Sequence, residues 1–258
     1  MTKRPQILGV PFDLVSTKEV LEMMEEACER KKKLFCVTPN PEICLAAENN
    51  AGFLKVLKAA DLSIPDGFGI LWAGRYLNGS KNLIRWGWTL LSPWVTKKKG
   101  VFFERVTGTD VMNQFCQKSK RRVFLLGASP EVNRNLTEKL KKAGTKVVGS
   151  YSGDPSVENE EVIRQMIDTP ETEVLFVAFG APKQEEWISR NLPKMKNVRV
   201  AMGIGGAFDF LVGKRKRAPQ WMRKIGLEWL YRVIIEPSRI GRIFNATVVF
   251  PWRVWRKG

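Results

Sequence analysis

The sequence predicts an α/β fold built on a parallel sheet. Three apolar runs, VFLLG (123–127), EVLFVAFG (173–180) and RVAMGIG (199–205), all end in glycine. The first two lead straight into the helix-starting turns ASPEV and APKQE, and the third into Gly205-Gly206. Strand and helix patterns therefore alternate, which is how βαβ units assemble. No internal repeat or low-complexity linker interrupts the alternation.

Each element has a local reason. Ser16 with Glu19 reads as a capping box that opens a helix over about 17–32, each residue of the pair satisfying the other's free backbone N–H. The strand KLFCVT (33–38) follows, and Asn40-Pro41 then gives a cap and a first helical residue to EICLAAE. SIPDGFG (63–69) sets Asp66 just after another apolar strand, between a proline and a glycine. The stretch 82–103 carries Trp86, Trp88 and Trp94 ahead of Lys97, Lys98 and Lys99. It fits ordinary core with a lysine loop, and equally an apolar–polar boundary.

At 258 residues, 44% hydrophobic and 27% charged, the chain is long enough to bury a core in one large or two modest domains. Its formal net charge of +17 favours phosphate, nucleic acid or anionic lipid as partners. There is no histidine, so imidazole bases, Ser-His-Asp triads and His-ligated zinc are excluded. The four cysteines, Cys28, Cys36, Cys44 and Cys116, lack C-x-x-C spacing and are expected to be reduced and mostly buried. Neither a signal peptide nor an apolar run approaching the ~18 residues of a membrane span is present, so a cytoplasmic protein, at most adhering to a membrane face, is expected.

The charge is uneven. Residues 214–258 carry a net +10, against +7 for the 213 before them, and hold Trp221, Trp229, Trp252 and Trp255. The expected organisation is an α/β core over 1–213 with a helical, basic, Trp-rich appendage over 214–258. Arginines such as Arg239 and Arg242, three apart, share a helix face. A solvated basic face is the common fate of such charges, yet their interleaving with tryptophan and aliphatic residues fits a helix lying on anionic lipid.

Parallel sheets bind ligands at the carboxyl ends of their strands, where helix N-termini offer free N–H groups to phosphate. Gly127, Gly180 and the turn at Gly203–Gly206 lie there. No full G-x-G-x-x-G or G-K-[ST] occurs, so the dinucleotide and NTPase readings are weak. Singly, each glycine is strand-to-helix punctuation, whereas their recurrence favours a phosphorylated ligand. Asp66 is a turn residue or helix cap on its own segment. Without histidine, however, it is among the few candidate general bases, competing with Asp110 and Asp209. No Asp-x-Asp exists to hold a metal on a diphosphate, so that charge would need cationic side chains.

Taken together, VTPNPE (37–42), PDGFG (65–69), ERVTGTD (104–110), FLLG, FGAPKQEEW (179–187), GIGGAFDF and RAPQWMRKIGLEWLYRVIIEPSR resemble the TagA/WecG/CpsF family of bacterial glycosyltransferases, glycosyltransferase family 26. They run in the family's order from about residue 7 to 242. Residues 77–103 match no family motif. The resemblance implies a Rossmann-like core of the GT-E type with a C-terminal appendage that touches the membrane. It implies a metal-independent, cofactor-free, inverting transfer from a UDP-sugar donor to polyprenyl-diphosphate-linked N-acetylglucosamine at the cytoplasmic membrane face. In the TagA branch the sugar is N-acetylmannosamine, for the wall teichoic acid linkage unit; other branches use an N-acetylmannosaminuronic acid or glucose-like donor. By motif, Asp66 is the expected base, with Thr38 beside it and Arg105 completing the catalytic group. Asn40, Gln184, Gly127, Gly180 and Gly205 are expected to bind substrate, joined by Arg232, Arg239 and Arg242 from the appendage. Two other classes compete, a nucleic-acid binder, disfavoured by the lack of a binding motif, and a catalytically silent membrane scaffold.

Overall fold

A computed structural model describes residues 4–78, 106–169, 171–215, 218, 219, 222 and 228–257. A short antiparallel hairpin, β1 (Gln6–Ile7) and β2 (Val10–Pro11), opens the chain. Six further strands follow: β3 (Leu34–Val37), β4 (Leu62–Ser63), β5 (Val123–Gly127), β6 (Val147–Tyr151), β7 (Val174–Ala178) and β8 (Val200–Gly203). They form one sheet in the order β4-β3-β8-β7-β5-β6, parallel at every pairing. The fold is the expected Rossmann-like α/β architecture.

Several helices of the core begin at residues whose side chains cap them. In α1 (Thr17–Glu29) the Ser16 N–H donates to the Glu19 carboxylate at 2.7 Å, and the Glu19 N–H donates to Ser16 Oγ. This helix stops at Glu29 rather than near 32, because Lys31 turns to a left-handed φ of 54°. In α2 (Pro41–Glu48), Asn40 Oδ1 accepts the Ile43 N–H at 3.0 Å and Pro41 fills the first turn. Then come α3 (Ala51–Lys58), α4 (Phe68–Asn78), α5 (Gly108–Lys118), α6 (Pro130–Lys142), α7 (Glu160–Asp168), α8 (Lys183–Asn191) and α9 (Ala207–Val212).

Alternation along the strands divides the core in two. Phe35, Val37, Leu175, Val177 and Ala201 face one side, where they pack with residues of α2, α3, α4, α7 and α8. Leu34, Cys36, Val174, Phe176, Val200 and Met202 face the other, packed by α1, α5, α6 and α9. Within this sheet every strand but the edge strand β6 is buried at each position, as a sheet covered on both faces requires. All four cysteines are buried and free, and burial pushes the Cys28 thiol up to about 12.

This division opens the crevice that matters here. Neighbouring strands β3 and β8 send their following helices, α2 and α9, to opposite faces of the sheet. A gap is left outside their carboxyl ends, the position where open α/β sheets take ligands.

From Glu228 the described chain is mostly helical: α10 (Glu228–Ile235), a 3₁₀ turn (Pro237–Arg239), α11 (Ile240–Phe244), a π-helical stretch (Asn245–Val249) and α12 (Phe250–Lys257). Phe250 and Val254 are buried in the same cluster as the β3 and β7 side chains. Ion pairs from α11 and α12 end on α2, with Arg242 on Glu42 at 2.6 Å and Lys257 on Glu48 at 2.8 Å. No described helix is long and apolar enough to cross a membrane.

Candidate active site

The crevice is held by short bonds between strand ends. Thr38, just past β3 and buried, donates its hydroxyl to the Gly203 carbonyl of β8 at 3.0 Å. Beyond β4, the Ile64 N–H donates to the Val37 carbonyl at 2.8 Å and the Asp66 N–H to the Pro39 carbonyl at 3.2 Å. The chain after β4 thus stays zipped to the chain after β3, and Asp66 stands beside Thr38, Pro39 and Asn40, half-buried. Gly67 then takes a φ of 90°, a turn that a side chain would strain, and α4 leaves.

On the other wall, Thr107 caps α5 and donates its hydroxyl to Asp110 at 2.7 Å. A Cβ on Gly108 would come 3.2 Å from Thr38 Cγ2, so the helix start abuts Thr38. Asp110 thus has a capping role. Asp209, in the first turn of α9, lies 3.7 Å from Arg215, which also reaches 3.8 Å from Glu236 of the appendage.

Between β7 and β8 sits Gln184. Its Oε1 accepts the Gly180 N–H at 3.1 Å and the Gly205 N–H at 2.9 Å, while its Nε2 donates to Glu185 Oε1 at 2.8 Å. Gly203 makes room for it, since a Cβ there would lie 2.9 Å from Gln184 Nε2. This corrects one expectation: the N–H groups of Gly180 and Gly205 already have an acceptor inside the protein and are not free donors for phosphate. At the third turn, Gly127 holds a φ of 101°, and a Cβ would meet the Ala178 backbone at 2.7 Å. Close approach of β5 to β7 is therefore a sufficient reason for that glycine.

The crevice brings Thr38, Asn40, Asp66, Gly180, Gln184 and Gly205 to one edge of the sheet. Asn40 is already engaged in capping α2. Arg242 is paired with Glu42 in the second position of α2, close to Asn40, rather than standing free. Arg105 lies outside the described residues, as do the side chains of Arg232 and Arg239, whose backbones belong to α10 and the 3₁₀ turn. Trp86, Trp88, Trp94, Trp221 and the Lys97–Lys99 run lie outside them too.

Sequence reasoning overlooked Glu185, Arg215 and Glu42. Glu185 is wholly buried, and burial raises its carboxyl to about 7 against the hydrogen bond from Gln184, which lowers it. Helical spacing carried that signal, because Glu185 precedes the buried Ile188 by three residues and Leu192 by seven. Arg215 gave no comparable signal within its run of four cations.

A model of the glycosyl transferase WecG/TagA/CpsF family matches residues 5–98 and 84–258 of this sequence. The chain belongs to that family. It is a glycosyltransferase, and a Rossmann-like parallel sheet is the fold that this WecG/TagA/CpsF member uses. Curated relatives from Staphylococcus aureus strains MRSA252, NCTC 8325 and COL are each 30% identical over 260 residues, covering 98% of this chain and 92% of theirs. Each is named N-acetylglucosaminyldiphosphoundecaprenol N-acetyl-beta-D-mannosaminyltransferase.

Proposed function

We propose that this WecG/TagA/CpsF transferase moves N-acetylmannosamine from UDP-N-acetylmannosamine to polyprenyl-diphosphate-linked N-acetylglucosamine, with inversion and without a metal. The observation that carries the reading is the position of Asp66 in the β3–β8 crevice, in a chain similar along nearly its whole length to enzymes named for that transfer. Asp66 accepts the proton of the acceptor hydroxyl as its oxygen bonds to the anomeric carbon. The bond from that carbon to the UDP oxygen breaks with its electron pair, and UDP leaves. Arg105, Arg232, Arg239 and Arg242 are the cations assigned to the diphosphate, as fixed charges aimed where charge develops. For Arg242 this entails leaving Glu42, and its exposed side chain can make that exchange at little cost.

The second half of the proposal concerns place. Core residues 1–213 carry the base, and 214–258 both lend Arg232, Arg239 and Arg242 to the site and hold the enzyme on the anionic inner face of the cell membrane. In its support, Ile240, Phe244, Val248 and Trp252 recur every fourth residue from α11 through the π-helical stretch into α12 and are all exposed, while Ile243, Phe250 and Val254 face inward. Arg253 and Arg256 both lie 5.5 Å from the Trp252 ring centre, a cation–aromatic cluster suited to a lipid headgroup layer.

A donor screen tests the reading. UDP-N-acetylmannosamine, its uronic acid and UDP-glucose are each offered with lipid-linked N-acetylglucosamine, and the product is read by mass. Transfer of N-acetylmannosamine is expected, and transfer from either other donor alone would replace the sugar while leaving the acceptor half standing.

A further inference from the structure

The crevice contains a buried carboxylate for which the proposed reaction has no use. Glu185 is wholly buried at the start of α8, and among the described residues its Oε2 has no hydrogen-bond partner. Retaining an ionisable group in such a place works against stability unless its bonds do something an apolar side chain cannot. Gln184 is the one described side chain that donates to it, at 2.8 Å.

Gln184 can satisfy its surroundings in one orientation only. With its carbonyl oxygen toward the turns it accepts two N–H groups, from Gly180 after β7 and from Gly205 after β8. Rotated by half a turn, its amide would set N–H against N–H at both glycines and turn its oxygen on the Glu185 carboxylate. The glycine N–H groups prefer the first orientation, but in it Nε2 is aimed into the interior, where Gln184 is only 2% exposed and water cannot serve as acceptor. Glu185 Oε1 supplies that acceptor.

We propose that Glu185 is a positioning residue: by accepting the Gln184 Nε2–H it aims the Gln184 carbonyl at the Gly180 and Gly205 amides and so fixes the spacing of the two turns after β7 and β8, against which the donor of the proposed reaction would bind. This rests on the donor reading above only for the identity of the bound molecule. Glu185 touches no substrate, and its effect passes through one side chain to two backbone groups.

The test uses the full-length protein with Glu185→Leu and Glu185→Gln. Amide hydrogen exchange at Gly180 and Gly205 is followed by NMR, and UDP affinity by calorimetry. Leucine removes the acceptor. Exchange at both glycines should rise about tenfold or more, and UDP should bind about tenfold more weakly, while turnover at saturating donor changes less than about threefold. Glutamine keeps a carbonyl acceptor and should restore both readings to within about threefold of wild type. A carboxylate that served stability alone would move the melting temperature and leave this split and this rescue unseen. Unchanged exchange in Glu185→Leu, or Glu185→Gln as impaired as Glu185→Leu, overturns the proposal. If the leucine variant fails to fold, Glu185→Ala, which also removes the acceptor, is compared alone and combined with Gln184→Ala, because once Gln184 is gone the Glu185 change should have no further effect on UDP affinity; an additive loss overturns the proposal. A wild-type protein that binds no UDP would sink the donor reading, and glycine exchange would still decide the role of Glu185.

Discussion

Asp66 and Glu185 are two carboxylates at one sheet edge under opposite conditions. Asp66 is half-buried in a turn whose backbone is tied to Pro39, so it can still be reached by a hydroxyl group. Asp66→Asn keeps the volume and removes the base, and should lower turnover by about 10² to 10⁴ with UDP affinity nearly unchanged. Steady-state kinetics retaining more than a third of wild-type turnover would move the role to another carboxylate, Asp209 first. Glu185 gives a different signal. Its folded value of about 7 lies above its ordinary 4.5, so between those values the native state holds a proton that the unfolded chain has released. Stability should therefore fall as pH rises from 4.5 to 7 and level off above, a cost of about 3 kcal/mol from this one group. Urea unfolding at pH 5 and pH 8 should show wild type losing ground to Glu185→Gln; parallel losses would mean Glu185 stays ionised throughout. Asp66 was legible in the sequence because a proline before it and a glycine after it mark a strand end. The occupied N–H groups of Gly180 and Gly205 were not, since their acceptor is a side chain whose reach depends on how two strands pair.

At the scale of elements, β3, β5, β7 and β8 announced themselves as apolar runs, because both faces of a covered parallel sheet must be buried. The two-residue strands β1, β2 and β4 are too short to carry a period, and no pattern within a strand says which strand lies beside it. The interlock of α2, α4 and α12 is a result of that tertiary order. Pro41 at the start of α2 presses on Gly69 in the first turn of α4, and Phe250 of α12 closes over both, its ring 3.7 Å from where a Gly69 Cβ would lie. Gly69→Ala sets two effects in opposition. Restricting the unfolded chain and favouring the helix gain about 0.4–1 kcal/mol. The added methyl, however, would lie 2.6 Å from Pro41 Cγ, part of a rigid ring in a helix turn, and overpacking of this kind costs about 1–3 kcal/mol. The steric term is the larger, so the variant should melt a few degrees lower. A calorimetric scan giving a higher melting temperature would show that α2 shifts freely, and that the Asn40–Asp66 side of the crevice is softer than its packing implies.

At the scale of the whole molecule, charge and apolar exposure have to be explained together. A diphosphate leaving group in a chain without histidine or Asp-x-Asp is assigned to arginines, so turnover should survive EDTA; complete loss with rescue by Mg²⁺ would make Asp110 or Asp209 a metal ligand. The net +10 of residues 214–258 was legible in the sequence, and so was its mixing with tryptophan. What the sequence did not separate is which apolar residues of this segment serve the core and which face outward. Phe250 and Val254 belong to the core, so deleting everything after Gly213 would uncover the α2–α4 face and confound loss of membrane contact with loss of packing. Exposed positions give a cleaner experiment. Ile240 and Phe244 are 63% and 55% exposed, so replacing both by glutamate leaves the interior untouched. On a membrane the same change withdraws two apolar side chains, each contributing about 1.5–3 kcal/mol when fully buried, and opposes anionic lipid with two like charges. Co-sedimentation with phosphatidylglycerol vesicles should fall by about tenfold or more, the wild-type interaction should weaken as salt screens it, and turnover of a detergent-soluble acceptor analogue should be unaffected. Undiminished vesicle binding by the double variant would assign the exposed row to a protein partner, and membrane contact would then have to come from other residues.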